Sequence, residues 1–198
     1  SGSPGIGRRS LALQFAQAVN CLQPPQPGFS CGLCRVCRQT ADMQQPDLSI
    51  LQVEAGKQEI RIEQVRELQR NLHLSPYEAK YRIALLLNFQ YANANAQNAL
   101  LKTLEEAPAK VILLITADAP ENLFATITSR CEILRLRTIP VDEMVPAIIN
   151  KWQVEESYAQ ELAHLSGGKF GLAKLFIDHP ELVEQLHNWV TESYELLS

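Results

Sequence analysis

The chain has 198 residues, of which 46% are hydrophobic and 20% charged, and a net charge of −4 at pH 7. This length and composition fit one large domain or two small ones with a buried core. Mixed and mildly acidic charge argues against a strongly basic nucleic-acid-binding face. Because the sequence has neither an apolar run of membrane-spanning length nor a signal peptide, we expect a soluble, cytoplasmic protein with no membrane partner.

The first residues follow the glycine pattern of a phosphate-binding loop. Its three glycines are Gly2, Gly5 and Gly7. An apolar helical run follows from Leu11 to Leu22, and Ser10 is the predicted cap. Such loops normally follow a buried strand, and since that first strand is missing here we expect the sequence to begin inside an α/β domain.

The residues after the glycines depart from this pattern. A functional loop continues with Lys, which reaches the terminal phosphates, and with Ser or Thr, whose hydroxyl holds Mg²⁺. Here Arg8 and Arg9 stand at those two positions. A guanidinium can pair with phosphate, but Arg9 cannot ligate a cation. We therefore predict a degenerate site, in which the loop glycines and Arg8 retain weak anion binding at most.

Apolar runs further along the chain predict alternating strands and helices. The predicted strands are 47–53, 81–87, 110–116 and 131–137, and the predicted helices are 60–74 and 94–107. This alternation indicates an α/β fold with a parallel sheet covered by helices on both faces. After Thr138 only helical patterns follow. We expect an α/β domain over 1–138, a small all-helical domain over 139–179, and a final helix over 180–198 that starts a further, truncated domain.

A second loss concerns the acidic residues that ATP hydrolysis requires. An ATPase of this kind needs carboxylates at the end of a second buried strand to hold Mg²⁺ and activate water. Leu87 and Asn88 stand there, and no Asp or Glu occurs between Lys80 and Leu104. No ATP hydrolysis is therefore expected.

Four cysteines form the pattern C-x9-C-x2-C-x2-C within residues 21–37. They are Cys21, Cys31, Cys34 and Cys37. Two-residue gaps let thiolates converge on one tetrahedral ion, and four thiolates leave no open position, so we predict a structural zinc. The alternative is a group of free thiols. Cys131 is interpreted as a buried core thiol.

The stretch "TSRC" places Arg130 immediately before the last predicted strand. An arginine at the rim of a sheet is ordinarily a partner in a surface ion pair. It can also be an arginine finger, which reaches the triphosphate of a neighbouring subunit and stabilises the transferring charge. The residues alone leave both roles open.

The ordered set of motifs resembles a known family. They are "GSPGIGRR", the cysteine module, "QPDL" (45–48), "IRIEQVREL", "NALLKTLEEAP" (98–108) and "TSRC". Together they are similar to the bacterial clamp-loader subunits of DNA polymerase III, of the delta-prime type and related to gamma/tau, within the AAA+ superfamily. The resemblance covers residues 2 to 131, and the helical region that follows fits the family's lid domain.

The resemblance implies a non-hydrolysing subunit of a ring that loads the sliding clamp onto primed DNA. Its partners would be gamma/tau and delta subunits and, through the complex, the clamp and primed DNA. Arg130, between Ser129 and Cys131, would be the finger acting in trans on an adjacent ATP site, and the zinc module would be retained. Gly171 lies near the position of the lid's sensing arginine, and the sensing position in 116–120 cannot be assigned. The alternatives are a gamma/tau-like ATPase with an atypical site and a zinc-bearing structural domain without nucleotide chemistry.

Overall fold

The structure is a computed structural model that describes the backbone of residues 1–197 and the side chains of residues 1–193. The chain divides into two compact units. Residues 1–3 and 8–135 form the first unit, and residues 4–7 together with the chain from 136 onward form the second. Within residues 1–197, no helix has the length and apolar character that a membrane crossing would need.

A three-stranded parallel sheet is the framework of the first unit. Its strands are β1 (Leu48–Leu51), β2 (Arg82–Leu86) and β3 (Val111–Ile115), in the order β1-β2-β3. In the ladder, Ser49 pairs with Ala84, which pairs with Leu113 on its other side. Every residue of β2 is buried, whereas β1 and β3 are largely half-buried. The central strand is thus covered on both faces, as its unbroken apolar run predicts.

Helices pack on both faces of this sheet. The helices of the first unit are α1 (Arg8–Asn20), α2 (Arg35–Ala41), α3 (Ile62–Leu72), α4 (Ala94–Glu105) and the short α5 (Ala125–Thr128). Leu86 of β2 joins the core formed with α3 and α4, while Leu85 joins a cluster with Ala12 of α1. Alternate strand residues point to opposite faces, so one strand serves two cores. The predicted α/β fold with a parallel sheet covered on both faces is confirmed.

A buried carboxylate joins the starts of β1 and β2. Asp47 is wholly buried and accepts hydrogen bonds from the backbone N–H groups of Tyr77, Glu78 and Ala79 at 2.6, 2.9 and 2.9 Å. Its Oδ1 also lies 3.3 Å from Nη2 of Arg82. Burial alone would raise the pKa of Asp47, but these donors outweigh it and lower the pKa below its ordinary value. The loop before β2 is thereby fixed to the start of β1.

Two local predictions near the N-terminus are corrected. The first helix begins at Arg8 and not near Leu11, so Ser10 lies inside it and is not its cap. Gly7 has φ 104°, a conformation that favours glycine, and the helix starts directly after it. The predictions also lacked α2, a seven-residue helix that is too short to show a clear helical period.

The predicted strand 131–137 is wrong. This segment has no regular secondary structure and no ladder partner, and five of its seven residues are exposed, including Ile133 and Leu134. A strand exists only through hydrogen bonds to a neighbouring strand. Among the described residues neither the outer edge of β3 nor the segment 131–137 has a strand partner, so the apolar pattern of 131–137 does not form a strand.

The second unit is helical. It contains α6 (Val141–Trp152), α7 (Glu156–Ser166), α8 (Phe170–Asp178) and α9 (Glu181–Leu197) around a core that includes Met144, Ile148 and Leu162. Within this unit the N–H of Gly171 donates to the carbonyl of Gly5 at 2.7 Å. A Cβ at position 171 would lie only 2.7 Å from the same oxygen, so this approach requires glycine.

Candidate functional site

The carboxyl ends of β2 and β3 meet at one edge of the sheet, where α/β proteins commonly bind ligands. Asn88 follows β2 in a left-handed conformation, φ 51°, which asparagine tolerates better than most residues. Its N–H donates to Oγ1 of Thr116 at 2.8 Å, and the N–H of Phe89 donates to the carbonyl of Thr116 at 2.8 Å. These bonds fix the turn after β2 against the end of β3.

Arg8, the first residue of α1, extends to both strand ends. Its Nη1 lies 2.5 Å from Oδ1 of Asp118, and its Nη2 donates to Oδ1 of Asn88 at 3.2 Å. The Arg8 side chain is only 11% exposed and that of Asp118 31%. The residue at the lysine position of the loop is thus neutralised by a carboxylate of its own chain.

Other residues of the predicted phosphate site also make contacts within the protein. The N–H of Gly2 donates to the carbonyls of Ala117 and Asp118 at 3.2 and 3.1 Å. Leu87, at a position where a carboxylate is needed, is 5% exposed and packs in the cluster with α1. Nη2 of Arg9 donates to the sulfur of Met43 at 3.0 Å. The turn after β2 therefore offers an apolar side chain and an amide, and the carboxylate of Asp118 after β3 is paired with Arg8.

Sequence reasoning missed Asp118. This residue lies three positions after β3, in the stretch whose role could not be assigned. The sequence did contain a usable signal. Because parallel strands end at the same side of a sheet, a carboxylate just after one strand lies close to the turn that follows the neighbouring strand. An arginine where the loop pattern requires a cation made a nearby counter-ion predictable.

The four cysteines of the module converge. All four sulfur atoms lie within 4.8 Å of one another, and Sγ of Cys31 lies 4.0 Å from Sγ of Cys37. Thiolates around a tetrahedral Zn²⁺, with Zn–S bonds of about 2.3 Å, are about 3.8 Å apart. The N–H groups of Cys31 and Cys34 donate to Sγ of Cys21 and Sγ of Cys31, each at 3.3 Å. The donor set and spacing can hold a metal ion and are consistent with zinc.

The pKa values of two cysteines in this cluster are shifted in opposite directions. Backbone N–H donors from Cys34 and Leu33 lower the pKa of Cys31 to about 6, which favours its thiolate. Burial raises the pKa of Cys37 to about 12. A bound cation would deprotonate that buried thiol, because coordination strongly favours the thiolate.

Arg130 lies at the surface, just after α5. Its Nη1 donates to the carbonyl of Thr126 at 2.9 Å, and its Nη2 lies 2.6 Å from Oε1 of Glu105, the last residue of α4. The side chains of Arg130 and Glu105 are 37% and 50% exposed. Cys131 instead is half-buried against the main core, and burial raises its pKa. The guanidinium is thus oriented and still open to solvent.

Comparison with known proteins identifies the family. The family model described as DNA polymerase III, delta subunit, matches residues 1–140. The chain belongs to this family. The resemblance to delta-prime-type subunits predicted from the motifs is confirmed.

Several individual proteins similar to this chain are DNA polymerase III subunits. The DNA polymerase III subunit delta' of Pseudomonas aeruginosa is 37% identical over 130 residues, covering 66% of this chain and 39% of the relative. The delta' subunit of Escherichia coli is 31% identical over 170 residues, covering 86% and 51%. The E. coli subunit tau is 31% identical over 144 residues, covering 73% and 22%. The chain therefore spans about half or less of the length of these relatives.

Solved structures support the fold. The Holliday junction branch migration motor RuvB of Thermotoga maritima matches with a TM-score of 0.57 at 16% identity, covering 92% of this chain and 54% of that one. This similarity concerns the fold alone, and it confirms the AAA+ fold that the sequence predicts for this chain.

Proposed function

We propose that this chain is part of a non-hydrolysing, delta-prime-like clamp-loader subunit, which supplies Arg130 in trans to the ATP site of a neighbouring gamma/tau subunit. In this role it joins gamma/tau and delta subunits in a ring that loads the sliding clamp onto primed DNA. Its cysteine cluster holds a structural zinc ion.

The composition of the sheet edge carries the first part of the proposal. Hydrolysis of ATP requires carboxylates that hold Mg²⁺ and orient the attacking water. Leu87 is buried among apolar side chains, and Asn88 offers a neutral amide that accepts from Arg8. Neither group can act as a base, and the ion pair of Arg8 removes the free cation that would meet a terminal phosphate. Loss at several parts of one site supports a subunit without hydrolysis of its own.

The surroundings of Arg130 support the second part. A finger must reach another subunit, so its guanidinium has to be accessible and directed by local contacts. Arg130 meets both needs, because Thr126 and Glu105 hold it while over a third of its side chain remains exposed. A surface ion pair of this kind is weak, and a triphosphate carrying more charge can displace the carboxylate.

Reconstitution of the whole complex with the full-length protein tests the finger. Arg130→Ala is expected to lower hydrolysis at the adjacent gamma/tau ATP site by about 10³-fold or more, the scale seen when such fingers are removed, and so to lower the DNA-stimulated ATPase of the complex. Assembly, followed by size-exclusion chromatography, is expected to survive. Arg135→Ala is the matched control, because Arg135 is also an exposed arginine in a surface ion pair, with Glu121 at 3.3 Å. Equal hydrolysis by the Arg130→Ala complex and the wild-type complex would contradict the finger role.

The second candidate function is a gamma/tau-like ATPase with an atypical site. The 31% identity to the E. coli subunit tau favours it. An ATP titration of this chain with and without Mg²⁺ separates the two candidates. Tight, Mg²⁺-dependent binding accompanied by turnover would favour the ATPase, whereas Mg²⁺-independent weak binding or none is expected from the non-hydrolysing subunit.

A further inference from the structure

We infer that Asp118 is a built-in counter-ion that occupies the place of a phosphate beside Arg8 and closes the degenerate site to phosphate-bearing ligands. The inference deepens the proposed function, since it gives a physical cause for the loss of nucleotide binding. It concerns only the first unit, which contains Arg8, Asn88 and Asp118.

The geometry of the pair is that of an internal ligand. Nη1 of Arg8 and Oδ1 of Asp118 are 2.5 Å apart, and both atoms are buried. Neither atom forms a hydrogen bond in the part of the chain that the structure describes, so the ion pair is their one described polar contact. Each charge therefore depends on the other, and separating them would leave a buried charge uncompensated.

The backbone holds Asp118 in reach of Arg8. Its carbonyl accepts from the N–H of Gly2 at 3.1 Å, and Thr116, two residues earlier, accepts hydrogen bonds from the turn at Asn88. A carboxylate fixed in this way has a high effective concentration at the guanidinium, against which a free ligand must compete. Guanidinium pairs with both carboxylate and phosphate oxygens, and the buried, tethered carboxylate of Asp118 competes with a diffusing phosphate for Arg8.

Asn88 strengthens this assignment. In a functional site the residue after the second buried strand is charged and serves the metal, whereas here it is a neutral acceptor for Nη2 of Arg8. Asp118 is then the one group with a full negative charge that the described contacts give to Arg8. Removing that single charge should leave the buried Arg8 guanidinium uncompensated, so that it binds an added anion more tightly.

The test is a gain of binding in the Asp118→Asn chain, with inorganic tripolyphosphate as the probe. Calorimetry without Mg²⁺ is expected to show an apparent dissociation constant at least about tenfold lower than that of the wild type, because the competing carboxylate is gone. The double variant Asp118→Asn, Arg8→Gln is expected to lose this gain. Asp42→Asn, which removes one exposed charge, is the matched control and should bind like the wild type.

Several outcomes would overturn the inference. Equal binding by the wild type and Asp118→Asn would do so, as would a gain that persists without Arg8. If the variant is unstable, tripolyphosphate should raise its unfolding temperature and leave that of the wild type unchanged. If the variant does not fold, NMR of the Arg8 guanidinium in the wild-type chain is the test. Resonances that do not shift when tripolyphosphate is added support the internal counter-ion, whereas resonances that shift overturn it. Failure here would leave the Arg130 assay untouched, so the two proposals fail separately.

Discussion

Asp47 and Arg82 form an ion pair across the starts of β1 and β2, with Oδ1 and Nη2 3.3 Å apart and the carboxylate wholly buried. Arg82 also donates to the carbonyls of Asn71 and Ser75, so the pair joins two strands to the end of α3. Because the carboxylate also accepts three backbone N–H groups, we interpret this pair as structural rather than catalytic.

Removing the carboxylate should destabilise the first unit strongly. Asp47→Ala leaves the Arg82 charge and three backbone donors without their partner, and we expect the free energy of unfolding to fall by about 3–5 kcal/mol. Urea unfolding followed by circular dichroism measures this change. Asp42→Ala, at an exposed position after α2, is the control and should stay within about 0.5 kcal/mol of the wild type. Similar losses in both variants would contradict the structural role of Asp47.

The same carboxylate should make stability depend on pH. The pKa of Asp47 is lower in the folded protein than in the unfolded chain, so its contribution is fully present above the unfolded value of about 3.9 and is lost as the pH falls through the folded value. The difference in unfolding free energy between wild type and Asp47→Asn should therefore be constant near neutral pH and shrink in acid. Urea titrations at a series of pH values test this, and a difference that grows on acidification would have the wrong sign.

The cysteine cluster should carry one zinc ion per chain. Metal analysis of protein purified under reducing conditions is expected to find one equivalent in the wild type and in Cys131→Ser, and little in Cys34→Ser. Loss of the ion should lower the unfolding temperature, because binding to the folded state adds to stability. A metal-free wild type, or a Cys34→Ser chain that keeps its zinc, would contradict the prediction.

Arg130→Ala should leave the fold intact. Its ion pair with Glu105 is at the surface, and exposed pairs contribute about 0–1 kcal/mol. We expect the unfolding free energy of Arg130→Ala to match that of Arg135→Ala within this range. A larger loss would mean that reduced ATPase in the complex reflects unfolding and not the missing guanidinium.

Gly171→Ala should destabilise the second unit. Helix propensity alone favours alanine by about 1 kcal/mol, because Gly171 lies within α8. The added Cβ, however, would lie 2.7 Å from the carbonyl oxygen of Gly5, a contact with backbone that cannot move freely. The sign of the change in unfolding temperature tests this. A lower temperature is expected, and a higher one would show that the close approach of Gly171 to the Gly5 carbonyl is not maintained.

Periodicity predicted most of the framework. The strands β2 and β3 and the apolar stripe of α3, with Val65 and Leu68 buried, follow directly from side-chain spacing, although β2 is fully buried and β3 only half-buried. The cysteine spacing likewise predicted the cluster, because its ligands lie close in sequence. Local patterns were therefore sufficient wherever the relevant contacts are local.

Long-range partners could not be predicted in this way. The contact between Arg8 and Asp118 joins residues 110 positions apart, and it depends on where two strand ends meet. The strand predicted at 131–137 failed for a related reason, since its apolar pattern says nothing about whether a pairing partner exists. Charge pairs and strand pairs both need the tertiary arrangement before they can be assigned.

The exposed apolar residues near the end of the first unit have a practical consequence for handling the protein. Ile133 and Leu134 are 41% and 62% exposed, in a segment with no partner among the described strands. Neighbouring exposed apolar side chains favour association between chains. Concentrated solutions of this chain should therefore be prone to self-association, and dilute samples are the right starting point for every titration described above.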